Sequence, residues 1–242
     1  MSSMGAATLR TFLKTALLPC GHTLYVWGGG WNEEDTGAGE DALTIGESPR
    51  WRSFFEENAS GYDYTEHRFS HGDGLDCSGY IGWVLYNTME YSRPEGYVMK
   101  STSVAQTLSA MGLGSCITHG GTDICRPGDI VSMEGHVYIS LGTCEDGSIV
   151  LLHSSPQAGV QISGTCVPGS SVEKGLAWAI ADAAMQRHYP QCHALFGTKL
   201  CGVLYFTGQI FRWDYKSGPL SDPEGLSGLA PAELLKFLLQ KP

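Results

Sequence analysis

The chain has 242 residues, enough for one large domain with a substantial buried core. Its 32 glycines and its small share of charged residues, 17%, indicate a loop-rich globular fold and exclude a disordered chain or a helical bundle. The formal net charge of -10, without any cluster of Lys and Arg, argues against a nucleic-acid partner.

The sequence contains no clear targeting segment and no clear cysteine motif. No apolar stretch reaches the roughly 18 residues that a membrane span needs, so we expect no membrane-spanning segment. Residues 1–18 lack a basic start and a long apolar run, which predicts no signal peptide. The compartment is left open: cytoplasmic if the start is native, extracytoplasmic if it was trimmed. The 8 cysteines form no disulfide framework and no Cys-x-x-Cys pair, so we expect most to be reduced apolar residues.

The N-terminal part of the chain predicts a helix and a glycine-rich turn. Apolar residues recur at helical spacing over residues 6–18, so we expect an amphipathic helix that ends before Pro19. The segment at 25–30 reads Tyr-Val-Trp-Gly-Gly-Gly, which predicts the end of a strand and a turn. Taken alone, this pattern makes Tyr25 and Trp27 core residues.

Residues 31–73 have the composition of an insertion, with acidic residues around one predicted helix. Ser48 followed by Pro49 is a favourable helix start, so we expect that helix to begin here. A segment of this length exceeds a simple connection. Its aromatic residues favour an ordered lid: Trp51, Phe54, Phe55, Tyr62 and Tyr64.

Cys77 stands at the start of a segment, residues 77–89, that contains no charged side chain. This composition predicts a helix that is buried on nearly all sides. The free N–H groups of its first turn and the positive end of the helix dipole favour a thiolate, so Cys77 is a candidate nucleophile. The alternative is that Cys77 is a small buried apolar residue, the usual role of an unpaired cysteine.

The rest of the chain is predicted to form a helix, then the strands of a sheet, and then further helices and strands. Thr102 is expected to cap a helix that ends at Met111. Four strands are predicted next, at residues 128–134, 135–141, 149–153 and 159–163. The C-terminal part predicts a helix at 172–188, a strand pair or one long strand at 202–213, and a last helix at 231–239.

Two of the predicted strands carry one histidine each, His136 and His153. A four-residue loop at 144–147 would pair His153 with Tyr138, which shares a sheet face with His136. A two-residue loop at 146–147 would keep both histidines on one face, one step further apart. In either register the two imidazoles converge. A thiol at a helix start that faces histidines on a sheet is typical of papain-like cysteine peptidases.

Five segments in order resemble the NlpC-type family of bacterial cell-wall cysteine peptidases: residues 25–29, 75–80, 127–131, 135–139 and 153–163. The resemblance implies an α+β, papain-like fold, with the nucleophile at the N-terminus of a buried helix packed on an antiparallel sheet that carries the two histidines. It implies a single catalytic domain over 1–242, with a core at 6–165. The insertion at 31–73 and a C-terminal extension at 166–242, expected to pack on the core, have no counterpart in it.

The resemblance also implies roles for individual residues. Cys77 would be the nucleophile, His136 the general base, and His153 the residue that orients the His136 imidazole. Tyr25 corresponds to the family tyrosine near the oxyanion hole. Its alternative role is that of a core residue.

Three further residues are implied to bind substrate. Asp76 and Ser78 match positions that bind the free amine of the substrate peptide in relatives, and Trp27 is assigned to substrate binding with them. A carboxylate beside Cys77 opposes thiolate formation, so a cationic substrate group explains Asp76 better than catalysis does. The alternative is that Asp76 serves only as the N-cap of the helix.

The predicted function is hydrolysis of the amide between γ-D-glutamyl and the diamino acid in peptidoglycan-derived peptides, through an acyl-enzyme on Cys77. No metal or organic cofactor is implied, and the oligomeric state is left open. One alternative is an amidase or acyltransferase on the same scaffold. Another is a catalytically inactive wall-binding module.

Overall fold

The computed structural model describes residues 7–89, 93–117 and 125–240. These residues form a mixed α+β fold with one seven-stranded sheet and seven α-helices. The helices are α1 (Leu9–Leu17), α2 (Pro49–Asn58), α3 (Cys77–Thr88), α4 (Val104–Ala110), α5 (Leu176–His188), α6 (Pro190–Phe196) and α7 (Pro231–Leu239). The strands are β1 (Gly114–Ile117), β2 (Ile130–Met133), β3 (His136–Thr143), β4 (Ile149–Ser155), β5 (Gly159–Thr165), β6 (Leu200–Cys201) and β7 (Gln209–Trp213).

The strands follow the order β1-β7-β2-β3-β4-β5-β6 across the sheet. All neighbours are antiparallel, as predicted, except β5 and β6, which are parallel. Strands β6 and β7 both come from the predicted extension at 166–242, and β7 lies between β1 and β2. Residues of the extension therefore complete the sheet on both sides of its central strands.

A buried ion pair joins β7 to the start of β2. Arg212 donates to both carboxylate oxygens of Asp129, at 3.0 Å and 2.6 Å, and Asp129 is almost fully buried. The indole of Trp213 donates to the Gly128 carbonyl oxygen at 3.0 Å. These bonds hold β7 in place between β1 and β2.

Helices α1 and α3 form the hydrophobic layer on one face of the sheet. Helix α1 buries its apolar side, as its spacing predicts, and the Tyr80 hydroxyl of α3 donates to the Ala16 carbonyl oxygen at 2.7 Å. Helix α3 packs on β3 and β4, and ten of its twelve residues are buried. The absence of charge over residues 77–89 is therefore explained by burial.

The inserted segment at 31–73 is anchored by its predicted helix. Helix α2 begins after Ser48, whose hydroxyl accepts from the Arg50 N–H at 3.3 Å. The buried ring of Trp51 meets that of Trp83 on α3 edge to face, with centroids 5.3 Å apart. Trp51 therefore fixes the insertion to the core and does not form part of a lid.

Several predicted boundaries are wrong for reasons of tertiary structure. Helix α4 begins after Ser103, not Thr102. Helix α5 begins at Leu176 because the distant carboxylate of Asp146 accepts its first N–H at 2.7 Å, a cap that local sequence does not contain. Of residues 202–213, expected to be a strand pair or one long strand, only Gln209–Trp213 form a strand, β7, and Val203–Phe206 form a 3-10 turn before it.

The opposite face of the sheet is covered by the C-terminal segment. A smaller apolar cluster there includes Val131, Tyr138 and Leu151, and Tyr205 and Phe206 pack against it. Tyr138 belongs to the face that carries His136, so residues just after β6 lie against the histidine face. No described helix is both long and apolar enough to cross a membrane.

Candidate active site

The first turn of α3 is built against the glycine turn at 28–30. Asp76 caps the helix: its Oδ1 accepts from the Gly79 N–H at 2.7 Å, while its own N–H donates to the Gly29 carbonyl oxygen at 3.0 Å. A Cβ on Gly79 would lie 2.0 Å from that carbonyl oxygen, so only glycine permits this approach. The turn thereby brings Tyr25 beside Cys77.

The Cys77 thiol is buried, with 7% of the residue exposed. Burial, and next the negative charge of Asp76, raise its pKa to about 12, against the smaller opposing effect of the N–H groups of Val137, Ser78 and Cys77 itself. The expectation that the helix start favours a thiolate is therefore wrong for the free protein, since desolvation outweighs the helix terminus. At neutral pH the Cys77 thiol therefore keeps its proton.

The two histidines meet at the open end of β3 and β4, as predicted. Ile139 pairs with Leu152, and continuing this register places His153 opposite Tyr138, the register predicted for a four-residue loop. The connecting loop is in fact longer, and a bulge between Ser140 and Gly142 restores the register. His136 Nε2 lies 2.9 Å from His153 Nδ1, so the imidazoles share a hydrogen bond.

Both imidazoles are neutral near pH 7. Burial, and next the charge of Lys199, lower the pKa of His136 well below its usual value. Burial, His136 and Lys199 lower the pKa of the fully buried His153. Each ring therefore carries one N–H and one lone pair. A neutral His136 is in the protonation state that a general base needs.

Helix α3 packs on β3 and places the Cys77 thiol against the main chain of that strand. The Val137 N–H that lies against the thiol belongs to the residue directly after His136. Within residues 7–89, 93–117 and 125–240, no hydrogen bond joins the thiol to either imidazole. Catalytic hydrogen bonds are often long in the absence of substrate and shorten in the complex.

Three residues that the sequence did not single out complete the surroundings of the histidines. Ser163 Oγ lies 3.0 Å from His153 Nε2, and Ser163 in turn donates to Gln161 Oε1 at 3.0 Å. Tyr205 brings its hydroxyl to 3.3 Å from His153 Nδ1, with its ring centroid 5.3 Å from that of His136. Alternation in β5 gives a signal for Gln161 and Ser163, but Tyr205 lies in a segment whose predicted secondary structure is wrong.

Tyr25 lies beside the thiol, in a position consistent with its predicted role. Burial, and next the charges of Cys77 and Asp76, raise its pKa, so its hydroxyl keeps its proton and can donate a hydrogen bond. Its ring meets that of Tyr64 edge to face at 5.6 Å. The assignment to the oxyanion hole stays a prediction.

The residues assigned to substrate binding differ in accessibility. Ser78 is buried; its hydroxyl accepts from the Trp31 indole N–H at 3.0 Å and donates to Asp76 Oδ1 at 2.9 Å, so it orients that carboxylate. Burial raises the pKa of Asp76 to about 6, so it is charged at neutral pH. Trp27 is 47% exposed, with the Arg68 guanidinium 5.5 Å above its ring.

Comparisons with known proteins add no assignment. No family model matches the chain, and no curated protein or solved structure is significantly similar to it. The functional argument therefore depends on the residues and geometry described above.

Proposed function

We propose that this protein is a cysteine endopeptidase of the NlpC type with a papain-like fold. The observation that supports the proposal is a buried helix-start thiol, Cys77, against the backbone N–H of Val137, the residue after His136, which shares a hydrogen bond with His153. The five segments that resemble the family support the same assignment. The proposed reaction is hydrolysis of the amide between γ-D-glutamyl and the diamino acid in peptidoglycan-derived peptides.

The proposed attack begins from a neutral thiol and a neutral imidazole. His136 accepts the thiol proton as the bond from sulfur to the carbonyl carbon forms, so thiolate and imidazolium charges develop together and stabilise each other. The Tyr25 hydroxyl and the Cys77 N–H are the proposed hydrogen-bond donors to the oxyanion. The carbon–nitrogen bond then breaks, His136 gives its proton to the leaving amine, and water hydrolyses the acyl-enzyme.

Asp76 is the proposed partner of the substrate amine. A carboxylate that is 9% exposed and charged above a pKa of about 6 is costly to bury unpaired. Its Oδ1 accepts from Ser78 and Gly79, and the backbone N–H groups of Ser78 and Gly28 also favour the charged form, but no described cation pairs with it. Binding an ammonium group there would also remove the charge that opposes the thiolate.

The insertion supports a preference for short, soluble peptides over cross-linked wall. The Tyr62 hydroxyl donates to the Tyr25 carbonyl oxygen at 2.6 Å, and Tyr64 and Arg68 contact Tyr25 and Trp27 respectively. These contacts put a wall of the insertion along one side of the proposed cleft. Such a wall excludes a polymer before it excludes a short peptide.

The decisive experiment is digestion of a defined tripeptide, L-alanyl-γ-D-glutamyl-diamino acid, with products identified by mass. The expected product is the free diamino acid, absent with Cys77→Ala and present with the matched control Cys116→Ala, which removes a partly exposed thiol on β1. Equal turnover by wild type and Cys77→Ala would overturn the proposal. Adding an amine acceptor separates the acyltransferase alternative, since a transferase would form the aminolysis product in preference to the acid.

The same preparation tests the preference for soluble peptides. The rate per bond on intact sacculi is expected to be far below that on the free tripeptide. Equal rates per bond on the two substrates would contradict it.

A further inference from the structure

A continuous chain of hydrogen bonds leads from the C-terminal segment to His136. The Lys199 backbone N–H donates to Gln161 Oε1 at 2.9 Å, and Ser163 Oγ lies 3.0 Å from the same oxygen. Ser163 Oγ lies 3.0 Å from His153 Nε2, and His153 Nδ1 lies 2.9 Å from His136 Nε2. Gln161, Ser163 and His153 have no solvent exposure, so water does not replace any link.

The direction of the first two bonds is fixed by chemistry. A backbone N–H can only donate, so the Gln161 amide must turn its oxygen, not its nitrogen, towards Lys199. A carbonyl oxygen can only accept, so the hydroxyl of Ser163 must give its single hydrogen to Gln161 Oε1. The bond directions are thus set outside the histidine pair.

The Ser163 bond then fixes which nitrogen of each imidazole donates and which accepts. Ser163 Oγ has only lone pairs left for His153, so His153 carries its hydrogen on Nε2 and presents a lone pair on Nδ1. His136 must therefore donate from Nε2. Because His136 is neutral, its own lone pair lies on Nδ1, which becomes the basic atom. The Tyr205 hydroxyl, 3.3 Å from His153 Nδ1, can donate a second hydrogen bond to that nitrogen in this tautomer.

We infer that Gln161 and Ser163 are positioning residues, and that with the Lys199 N–H they select the one His136 tautomer that can deprotonate Cys77. The C-terminal segment thus contributes one main-chain group, the Lys199 N–H, to the candidate site. The tautomers are a property of the free protein. Only the kinetic consequence rests on the proposed peptidase function.

Replacing Gln161 with Met tests the hydrogen-bond chain at the residue whose oxygen sets the bond directions. Without Oε1, the hydroxyl of Ser163 is free to donate to His153 Nε2, which moves the His153 hydrogen to Nδ1 and makes His136 Nε2 accept. His136 then carries its hydrogen on Nδ1 and has no lone pair for the thiol. Gln161 Nε2 has no hydrogen-bond partner among the described residues, so the Met variant loses no bond on that side.

Two variants serve as matched controls. Gln161→Glu keeps an accepting oxygen for both Lys199 N–H and Ser163, so it should retain the tautomers. Thr165→Val removes another fully buried hydroxyl from β5, one that bonds Ile149 and Cys166 but lies outside the chain. This variant measures the structural cost of losing a buried hydroxyl without breaking the hydrogen-bond chain to His136.

Ring ¹⁵N chemical shifts of labelled protein at pH 7 report the tautomers directly. We expect Nε2–H on both histidines in the wild type, Gln161→Glu and Thr165→Val, and Nδ1–H on both in Gln161→Met. With the tripeptide, kcat of Gln161→Met should fall about tenfold or more at unchanged KM. Wild-type His153 protonated on Nδ1, or shifts unchanged in Gln161→Met, would overturn the inference. An inactive wild type with the expected shifts would refute the peptidase proposal alone.

Discussion

Asp76→Asn is expected to change two activities of Cys77 in opposite directions. Asparagine caps a helix about as well as aspartate, so the Gly79 N–H keeps its acceptor and the fold is retained. The substitution removes the charge that opposes the thiolate. Alkylation of Cys77 should therefore become faster while hydrolysis of free-amine peptides becomes slower.

The size of the first effect follows from the burial of both groups, 7% exposed for Cys77 and 9% for Asp76. At an effective dielectric constant of about 20, the charges of these adjacent residues are expected to repel by about 2 kcal/mol. This energy is roughly a thirtyfold change in the thiolate population at a fixed pH below the thiol pKa. We therefore expect alkylation at pH 8 to be about ten- to thirtyfold faster in the variant.

The pH dependence supplies an internal control. The pKa of Asp76 is raised to about 6, so above pH 6 the wild type carries the charge and the variant does not. Below pH 6 the wild-type carboxyl is protonated, and the two rates should converge. The rates can be measured with a pyridyl disulfide, following the Cys77 peptide by mass from pH 5 to 8. Asp73→Asn, which removes a carboxylate paired with Arg50 at 2.6 Å, should leave the Cys77 rate unchanged.

The second effect is a rise in KM for peptides with a free N-terminal amine and little change for N-acylated peptides. Alkylation that is slower than in the wild type at pH 8 would refute the electrostatic reasoning. A rate ratio that is the same at pH 5 and pH 8 would refute it as well.

Three further predictions concern the site and the sheet. Cys77→Ala should abolish tripeptide hydrolysis without lowering Tm, since a thiol-to-methyl change costs little packing; unchanged turnover would exclude Cys77 as nucleophile. His136→Ala should lower kcat about as much as Cys77→Ala, whereas His153→Asn should retain part of the rate because an amide can still accept from His136; equal kcat losses would contradict this difference. Asp129→Ala should lower the free energy of unfolding by about 3–5 kcal/mol in denaturant titrations, because it removes the buried carboxylate that accepts two hydrogen bonds from Arg212; the double variant Asp129→Leu with Arg212→Met should lose less, and an equal loss would exclude the ion pair as the cause.

Local patterns predicted the parts of the fold that depend on neighbouring residues. Helix α1 follows from its apolar spacing, α3 from its lack of charge, and the meeting of the histidines from alternation in two adjacent strands. These features need only short-range information. They account for the correct position of Cys77, His136 and His153.

Features set by distant parts of the chain were not predictable. The start of α5 depends on Asp146, about thirty residues away, and the place of β7 depends on its bonds to β1 and β2. The sequence also predicted the wrong direction for the shift in the Cys77 pKa, which is raised and not lowered. A helix terminus is readable from sequence, but the depth of burial that outweighs it is set by tertiary packing.

The position of the C-terminal strands has a consequence for when the candidate site is assembled during synthesis. Strands β2 to β5 are consecutive hairpins that can pair as soon as they leave the ribosome, whereas β7 must reach back across more than seventy residues to join β2. The Lys199 N–H and Tyr205 also arrive late. A nascent or prematurely ended chain therefore holds Cys77 and both histidines without the groups that orient them. If the proposed function holds, hydrolysis is expected only after these C-terminal groups have been added.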